Sequence, residues 1–252
     1  MTRDLIRDIE ELSLNAWPSL QTTYYDGWIL RFANGYTRRA NSINPLYPST
    51  VALAEKVACC EELYAARHLA TIFKICPSVM PPDLDTHLEA AGYAQNALTS
   101  VQTVSLTDAN LSTLHTGFQS QLLWHLTDGW VDDFCRLSKV EAKHRATMTL
   151  MLRAISGLSC YALLKEGPNT VAVGLAVVER KHVGLFDIVT AETYRRRGYA
   201  RQLILDLLLW AKQQEATTAY LQVMFNNTPA LRLYEGIGFR EIYQYWYRVK
   251  DQ

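Results

Sequence analysis

The sequence predicts an α/β protein of two mixed-sheet halves that form a pseudo-repeat, each about half the chain. Three observations carry this. Residues 183–200, VGLFDIVTAETYRRRGYA, pattern as a strand, a short loop and a helix start. Residues 219–240 repeat the theme, with a strand, the loop Asn226-Asn227-Thr228-Pro229, and a short helix ending at Gly236 and Gly238. Earlier, residues 70–106 run strand, helix, strand in the same order, so that Phe73-x-Ile75 aligns with Leu221-x-Val223 and Gly92-Tyr93 with Gly238-Phe239.

Residues 183–190 form the central strand of the second half. Leu185 and Val189 lie on one face and Phe186 and Ile188 on the other, so both faces are apolar apart from Asp187. Arg195-Arg196-Arg197-Gly198-Tyr199-Ala200 follows, and then Leu203, Ile204, Leu207 and Ala211 at amphipathic helical spacing. A small-residue turn feeding a helix start is an anion cradle, because free backbone N–H groups and the positive end of the helix dipole converge there. Gly198 and Ala200 permit close approach, and the arginines supply charge suited to phosphates.

Two motifs about thirty residues apart now stand in order: Arg195-x-x-Gly198-x-Ala200 after a hydrophobic strand, and Asn227-x-x-Ala230-x-x-Leu233-Tyr234-x-x-x-Gly238-Phe239. Together they resemble the GNAT superfamily of acetyl-CoA-dependent N-acetyltransferases, over residues 186–239. The resemblance implies two GNAT-like halves, a degenerate one over 1–112 and a catalytic one over 113–252 whose acetyl-CoA motifs are intact. In the first half Asn44-Pro45-Leu46-Tyr47-Pro48-Ser49 stands where a cradle would be, and proline cannot donate an N–H. Leu88 stands at the counterpart of Tyr234.

Composition narrows the function classes. The 252 residues carry 25 basic and 25 acidic side chains, and this zero balance argues against a general nucleic-acid binder or a polybasic membrane-surface protein. The charged start MTRDLIRDIEEL has no signal-peptide character, and Asp206 interrupts the longest apolar run at 203–211. Cys59, Cys60, Cys76, Cys135 and Cys160 lack CxxC spacing, and free thiols in a reducing cytoplasm are expected. The six histidines show no ligand spacing, so no metal is expected.

Along the first half, Leu5, Ile6, Ile9 and Leu12 mark a short helix, Asp26-Gly27 a turn, and 28–33 a strand. A second strand-like run covers 37–46, ended by Pro45 and Pro48; a helix over 50–68, a strand over 70–76, a helix over 83–91 and a strand over 100–106 complete the half. The polar stretch 107–116 is the candidate linker. The second half opens with a strand at 121–125, a helix capped by Asp128 and another over 141–155. A hairpin of 160–165 and 171–178 then leads into the central strand. A last strand containing Tyr243, Tyr245, Trp246 and Tyr247 is expected on the acceptor side.

Acetyl transfer to an amine needs a held thioester, a polarised carbonyl, a neutral amine and stabilisation of the departing sulfur. The turn at Arg195, Arg196, Arg197, Gly198, Tyr199 and Ala200 would hold the pyrophosphate. The resemblance implies that the pantetheine arm lies along Ile188 and Val189, where a backbone N–H would meet the thioester oxygen. It implies that Asn227 bonds the arm, although Asn227 also suits a helix N-cap, and both roles can coexist. It makes Tyr234 the general acid, against the plainer alternative of a core tyrosine; the demand is small for a thiol near pKa ~8.5. The base is open. Ribosomal-protein alanine acetyltransferases, among other members, carry Glu where this chain has Gln222, and an amide cannot take a proton. Asp187, Glu179, Glu192 or a water chain remain, Asp187 foremost because it interrupts an apolar strand, with a structural hydrogen bond as its alternative.

In the first half, Asp26-Gly27-Trp28 and the run from Thr37 through Arg38 and Arg39 to Ser42 suit either an acceptor clamp or an interdomain ion-pair lattice, the latter favoured. The resulting expectation is an acetyltransferase acting by direct attack on acetyl-CoA, with a small-molecule primary amine as acceptor. A non-catalytic CoA-binding sensor and transfer from a longer acyl-CoA are the alternatives.

Overall fold

The computed structural model describes residues 3–109, 111 and 120–250. In chain order the elements begin with α1 (Arg3–Ala16), β1 (Gln21–Tyr25), β2 (Trp28–Phe32), β3 (Ile43–Pro45), α2 (Leu53–Ala65), β4 (Thr71–Ile75), α3 (Leu84–Ala90) and β5 (Ala94–Ser105). They continue with β6 (Ser120–Leu123), α4 (Asp128–Ser138), α5 (Ala142–Arg153), β7 (Leu158–Glu166), β8 (Asn169–Glu179) and β9 (His182–Thr190). The chain ends with α6 (Tyr199–Gln213), β10 (Thr218–Met224), α7 (Thr228–Ile237) and β11 (Arg240–Lys250). The order helix, three strands, helix, strand, helix, strand therefore occurs twice, from α1 to β5 and from α5 to β11.

The correspondence reaches individual hydrogen bonds. The Tyr93 N–H donates to Leu88 O after Gly92 at φ 84°, and the Phe239 N–H donates to Tyr234 O after Gly238 at φ 115°. A left-handed glycine closes each helix, as a C-terminal cap requires. Leu88 and Tyr234 thus occupy equivalent positions, as the sequence alignment proposes.

Contacts divide the chain into two compact units, residues 1–100 with 242–252, and residues 101–241. The boundary expected at 112/113 lies outside the described residues, as does most of the candidate linker. The chain passes between the units within β5 and again within β11.

In the first unit the strand order is β1-β2-β3-β4-β11, with β3 and β4 parallel and the other pairs antiparallel. Trp28, Phe73, Tyr64, Leu84 and Leu88 lie in its core, where Trp28 and Phe73 meet edge-on at 5.6 Å. The strand expected over 37–46 is confined to Ile43–Pro45, and Arg38–Ala40 form a 3-10 turn. Asn41 accounts for the difference. Its Oδ1 accepts from the N–H groups of Ala33 (2.7 Å) and Gly35 (3.0 Å), and its Nδ2 donates to Tyr36 O (2.8 Å) and Thr37 O (2.9 Å). One side-chain amide thereby replaces a strand's ladder.

The buried arginine of this region is Arg31, not Arg38 or Arg39. It donates to the carbonyls of Leu14, Trp17 and Arg39, and burial pushes its pKa down to about 10. Asp26 works inside this unit rather than in an interdomain lattice. Its carboxylate accepts from the N–H groups of Thr50 and Val51 and from the Thr50 hydroxyl, all at 2.9–3.0 Å, and pairs with Lys56 at 3.2 Å. These donors, the Val51 N–H first, hold the Asp26 carboxyl far below the usual range. The Lys56 ammonium sits 4.1 Å from the Trp28 ring centroid.

The last strand departs from expectation as well. From residue 242 onward β11 belongs to the first unit, and Tyr243, Tyr245 and Tyr247 are buried instead of lining an acceptor side. The Tyr243 hydroxyl donates to Glu10 Oε1 at 2.7 Å, Lys74 ion-pairs with the same carboxylate, and the Lys74 ammonium lies 3.9 Å from the Tyr245 ring centroid. All these polar groups are fully or nearly fully buried.

In the second unit the order is β5-β10-β9-β8-β7-β6, antiparallel from β6 to β9 and parallel between β9 and β10. Helix α6 packs Leu203, Ile204, Leu207 and Leu208 into the core with Ala162, Ala172, Ala176 and Leu221. Thr127, one residue before the expected cap Asp128, caps α4 by accepting from the Trp130 N–H at 3.2 Å. Trp130 stacks on Phe134 and donates its indole N–H to Ala162 O at 3.1 Å.

Removing one partner of the buried Glu10–Lys74 pair strands a charge, which costs about 3–5 kcal/mol. Glu10→Ala should lower unfolding free energy in urea by that amount, and Glu10→Gln, which keeps an acceptor for Tyr243, by less. An unchanged midpoint for Glu10→Ala would show that the pair contributes nothing.

Candidate functional site

The second unit's sheet opens at one place. The parallel ladder between β9 and β10 runs from Thr218↔His182 to Leu221↔Leu185 and ends there, although the strands continue to Thr190 and Met224. On the other side of β9 the register steps from Val173↔Val189 to Leu175↔Phe186, so Asp187 and Ile188 both stand opposite Gly174. This is a β-bulge, which bends a strand and re-aims its side chains. Asp187 takes φ 53° to form it. Gly174 makes room, since a β-carbon there would lie 2.7 Å from Ile188 Cδ1 and 2.8 Å from Leu203 Cδ2.

The opening leads into a pocket of about 720 Å³ lying wholly in this unit. Ile188, Val189, Arg195, Arg196, Gly198, Tyr199, Ala200, Asn227 and Tyr234 line it, all of them singled out from the sequence. Thr190, Tyr194, Arg201, Pro229, Ala230 and Leu233 also line it. Of these, Pro229, Ala230 and Leu233 fall within the second motif; Thr190, Tyr194 and Arg201 carry no separate signal.

Two expected site residues are not on the wall. Arg197 turns aside, with its guanidinium carbon 5.3 Å from the Tyr194 ring centroid. Asp187 sits in the bulge beside the wall residue Ile188. The other base candidates are elsewhere too. Glu179 lies 3.3 Å from Arg180, and Glu192 lies 2.7 Å from Lys139, which holds its carboxyl below the ordinary range. Gln222 is absent from the lining as well.

At the far end, Gly198 caps α6 at φ 87°, with Arg196 at φ 62° two residues earlier. The first helical amides have no acceptor within the helix, and a turn alternating with left-handed residues directs its N–H groups into one concavity. A β-carbon on Gly198 would meet nothing within 4 Å, so the space before the helix end is open. Arg195 reaches back to Thr190 O at 3.4 Å, and Arg201 donates to Gly236 O at 3.2 Å.

The opposite wall comes from α7. Asn227 caps it, its Oδ1 accepting from the Ala230 N–H at 3.3 Å, which is the N-cap alternative for this residue. Tyr234, two turns on, contacts Phe239 edge-on at 5.8 Å. Burial alone pushes its phenol up to about 12. A phenol with that pKa keeps its proton throughout the physiological range and acts as a donor. The assembly therefore offers a cationic, amide-rich anion cradle, an apolar channel and a protonated phenol.

Comparison with known proteins follows this geometry. The family model described as "Probable histone acetyltransferase Rv0428c C-terminal" matches residues 3–248. The chain is 28% identical over 249 residues to the uncharacterized N-acetyltransferase YobR of Bacillus subtilis, spanning 98% of this chain and 99% of that protein. A GCN5-related N-acetyltransferase from Kribbella flavida superposes with TM-score 0.74 over 98% of this chain and 95% of its own, at 12% identity. A tandem GNAT protein from the clavulanic acid biosynthesis pathway superposes with TM-score 0.66 over 96% and 87%, at 10% identity. At these identities the structural likenesses report the fold, and both span the two halves.

A difference titration of wild type against Tyr234→Phe, followed by phenolate absorbance, should show no ionisation of Tyr234 below about pH 11, given its pKa of about 12. Ionisation near pH 10 would place the phenol in ordinary solvent.

Proposed function

We propose, from the premise that the chain belongs to the GNAT superfamily of N-acetyltransferases and to the family of the Rv0428c C-terminal region, that it binds acetyl-CoA in the second unit's pocket and transfers the acetyl group to a small-molecule primary amine by direct attack. The convergence of the Arg195–Ala200 turn, the β9 bulge and Tyr234 on one cavity carries this reading. The turn would receive the pyrophosphate and the wall at Ile188 and Val189 the pantetheine arm. A backbone N–H of the bulge would face the thioester oxygen, and Asn227 would flank the arm while capping α7.

As the amine attacks, charge moves to sulfur. Tyr234 would stabilise it by hydrogen-bond donation; at about 12 its pKa lies above the ~8.5 of a free thiol, so the phenol retains its proton after product forms. Asp187 is the base in this reading. Its place in the bulge also gives it a structural role, and the kinetics below separate the two. The family model's description carries a second reading, in which the acceptor is an amine of a protein. Coenzyme A release with a panel of small amines and with basic peptides distinguishes the acceptors. The five free cysteines suit the cytoplasm, where we place the protein.

The first half, read as residues 1–112, would bind no acetyl-CoA. In it the loop entering α2 directs its Thr50 and Val51 amides at the carboxylate of Asp26, which occupies the position an exogenous anion would need. Calorimetry should give one acetyl-CoA per chain, and two would sink this assignment. Gly198→Glu should abolish that binding by filling the cradle with a carboxylate. Gly198→Ala, which bears only the left-handed backbone cost, should keep most of it.

In steady-state assays Tyr234→Phe should lower kcat by roughly tenfold or more with little change in acetyl-CoA affinity. Because the pKa is raised, wild-type kcat should show no loss attributable to Tyr234 between pH 8 and about 10. Near-normal turnover of the variant would return Tyr234 to the core. Asp187→Asn should lower kcat by roughly a hundredfold if the carboxylate is the base. A lowered melting temperature with intact kcat would mark it as structural.

A further inference from the structure

We infer that Glu166, which lies outside the pocket wall, is a positioning residue for the phosphate cradle. Tyr199 is the first residue of α6, so its amide is one of the unpaired N–H groups at the cradle, and its ring runs inward and is only 2% exposed. The Tyr199 hydroxyl donates to Glu166 Oε1 at 2.7 Å. Glu166 is the last residue of β7, at the hairpin into β8, and its backbone is held by the pair Glu166↔Asn169. The Glu166 hydrogen bond heads the causes that raise the Tyr199 phenol, which therefore stays a donor. Tyr194 packs edge-on against the Tyr199 ring at 6.0 Å, and Arg197 covers Tyr194. The helix end that presents the amides is thus tied to the rigid β7–β8 hairpin, while the loop before it, with Arg196 and Gly198 in left-handed conformations, has little regular structure of its own.

This inference rests on the acetyl-CoA reading. An anion cradle made of backbone amides is only as good as the orientation of those amides. Its main alternative is that a carboxylate so near an anion site serves only the fold. The two differ in what they predict. A positioning bond needs an acceptor oxygen rather than a charge, so glutamine should substitute for glutamate; a fold-only role should leave acetyl-CoA binding unchanged.

The test uses the full chain and four variants, Glu166→Ala, Glu166→Gln, Tyr199→Phe and the double variant Glu166→Ala/Tyr199→Phe. Each is titrated with acetyl-CoA by calorimetry and assayed for KM and kcat. Loss of one buried hydrogen bond should raise Kd and KM for acetyl-CoA about fivefold in Glu166→Ala and in Tyr199→Phe, with kcat within about twofold of wild type. Glu166→Gln should bind within about twofold of wild type, and the double variant no more weakly than either single, since both remove the same bond. If wild type binds and Glu166→Ala binds equally well, this inference falls and the acetyl-CoA reading stands. If Glu166→Gln is as impaired as Glu166→Ala, or the two losses add, the shared hydrogen bond is not the cause and the inference is overturned. If wild type itself fails to bind acetyl-CoA, both readings fall together.

Discussion

Backbone amides at the entry to a helix must find an acceptor, and this chain meets that constraint in two ways. In the first unit Asp26 supplies a carboxylate from the β1–β2 turn, and the Thr50 and Val51 amides are satisfied internally. In the second unit Gly198 stands at the head of α6 without a capping side chain, and the amides face an open pocket. The same order of elements therefore yields a closed end in one half and a receptive one in the other. What separates them is a single carboxylate, reinforced by Pro48, which has no N–H to offer.

Buried charge does a different task in the first unit. Glu10 from α1, Lys74 from β4 and Tyr243 from β11 share one fully desolvated hydrogen-bonded cluster. Such a cluster adds little net stability compared with a well-packed apolar one, and penalises any arrangement that leaves a member unmatched. A one-residue slip of β11 against β4 would turn Tyr243 away from Glu10, because strand side chains alternate faces. The cluster thus specifies the register of a strand that reaches this unit from the distant end of the chain.

How much of this the sequence displays depends on whether a residue's role is local. The strand–turn–helix at 183–200 and the N-cap at Asn227 are local, and the pocket assembles from the residues that these motifs name. Gln21–Tyr25 gives no signal because it is polar and exposed, with no apolar alternation to betray a strand. The run over 37–46 looks extended, yet Asn41 organises it through side-chain hydrogen bonds that no periodicity reports. Arg38 and Arg39 attract attention as a pair, while Arg31 is the arginine buried among carbonyls, because burial is decided by distant α1. Glu166 is invisible for the same reason: its partner lies thirty-three positions away. Arg197 belongs to the motif by spacing, but the left-handed turn at Arg196 sends its side chain to Tyr194.

The chemistry proposed for the pocket asks little of acid catalysis. A thiolate is an able leaving group near neutral pH, and a phenol of pKa about 12 is a weak acid that offers a hydrogen bond more readily than a proton. The larger requirement is to hold the thioester carbonyl and a neutral amine in attacking geometry, where orientation commonly outweighs proton transfer. The features that fix geometry are the bulge opposite Gly174, which aims Ile188, and the Tyr199–Glu166 bond, which ties down the first turn of α6. The side chains that define this pocket are thus mostly those that place backbone N–H groups, and titratable groups are few on its wall.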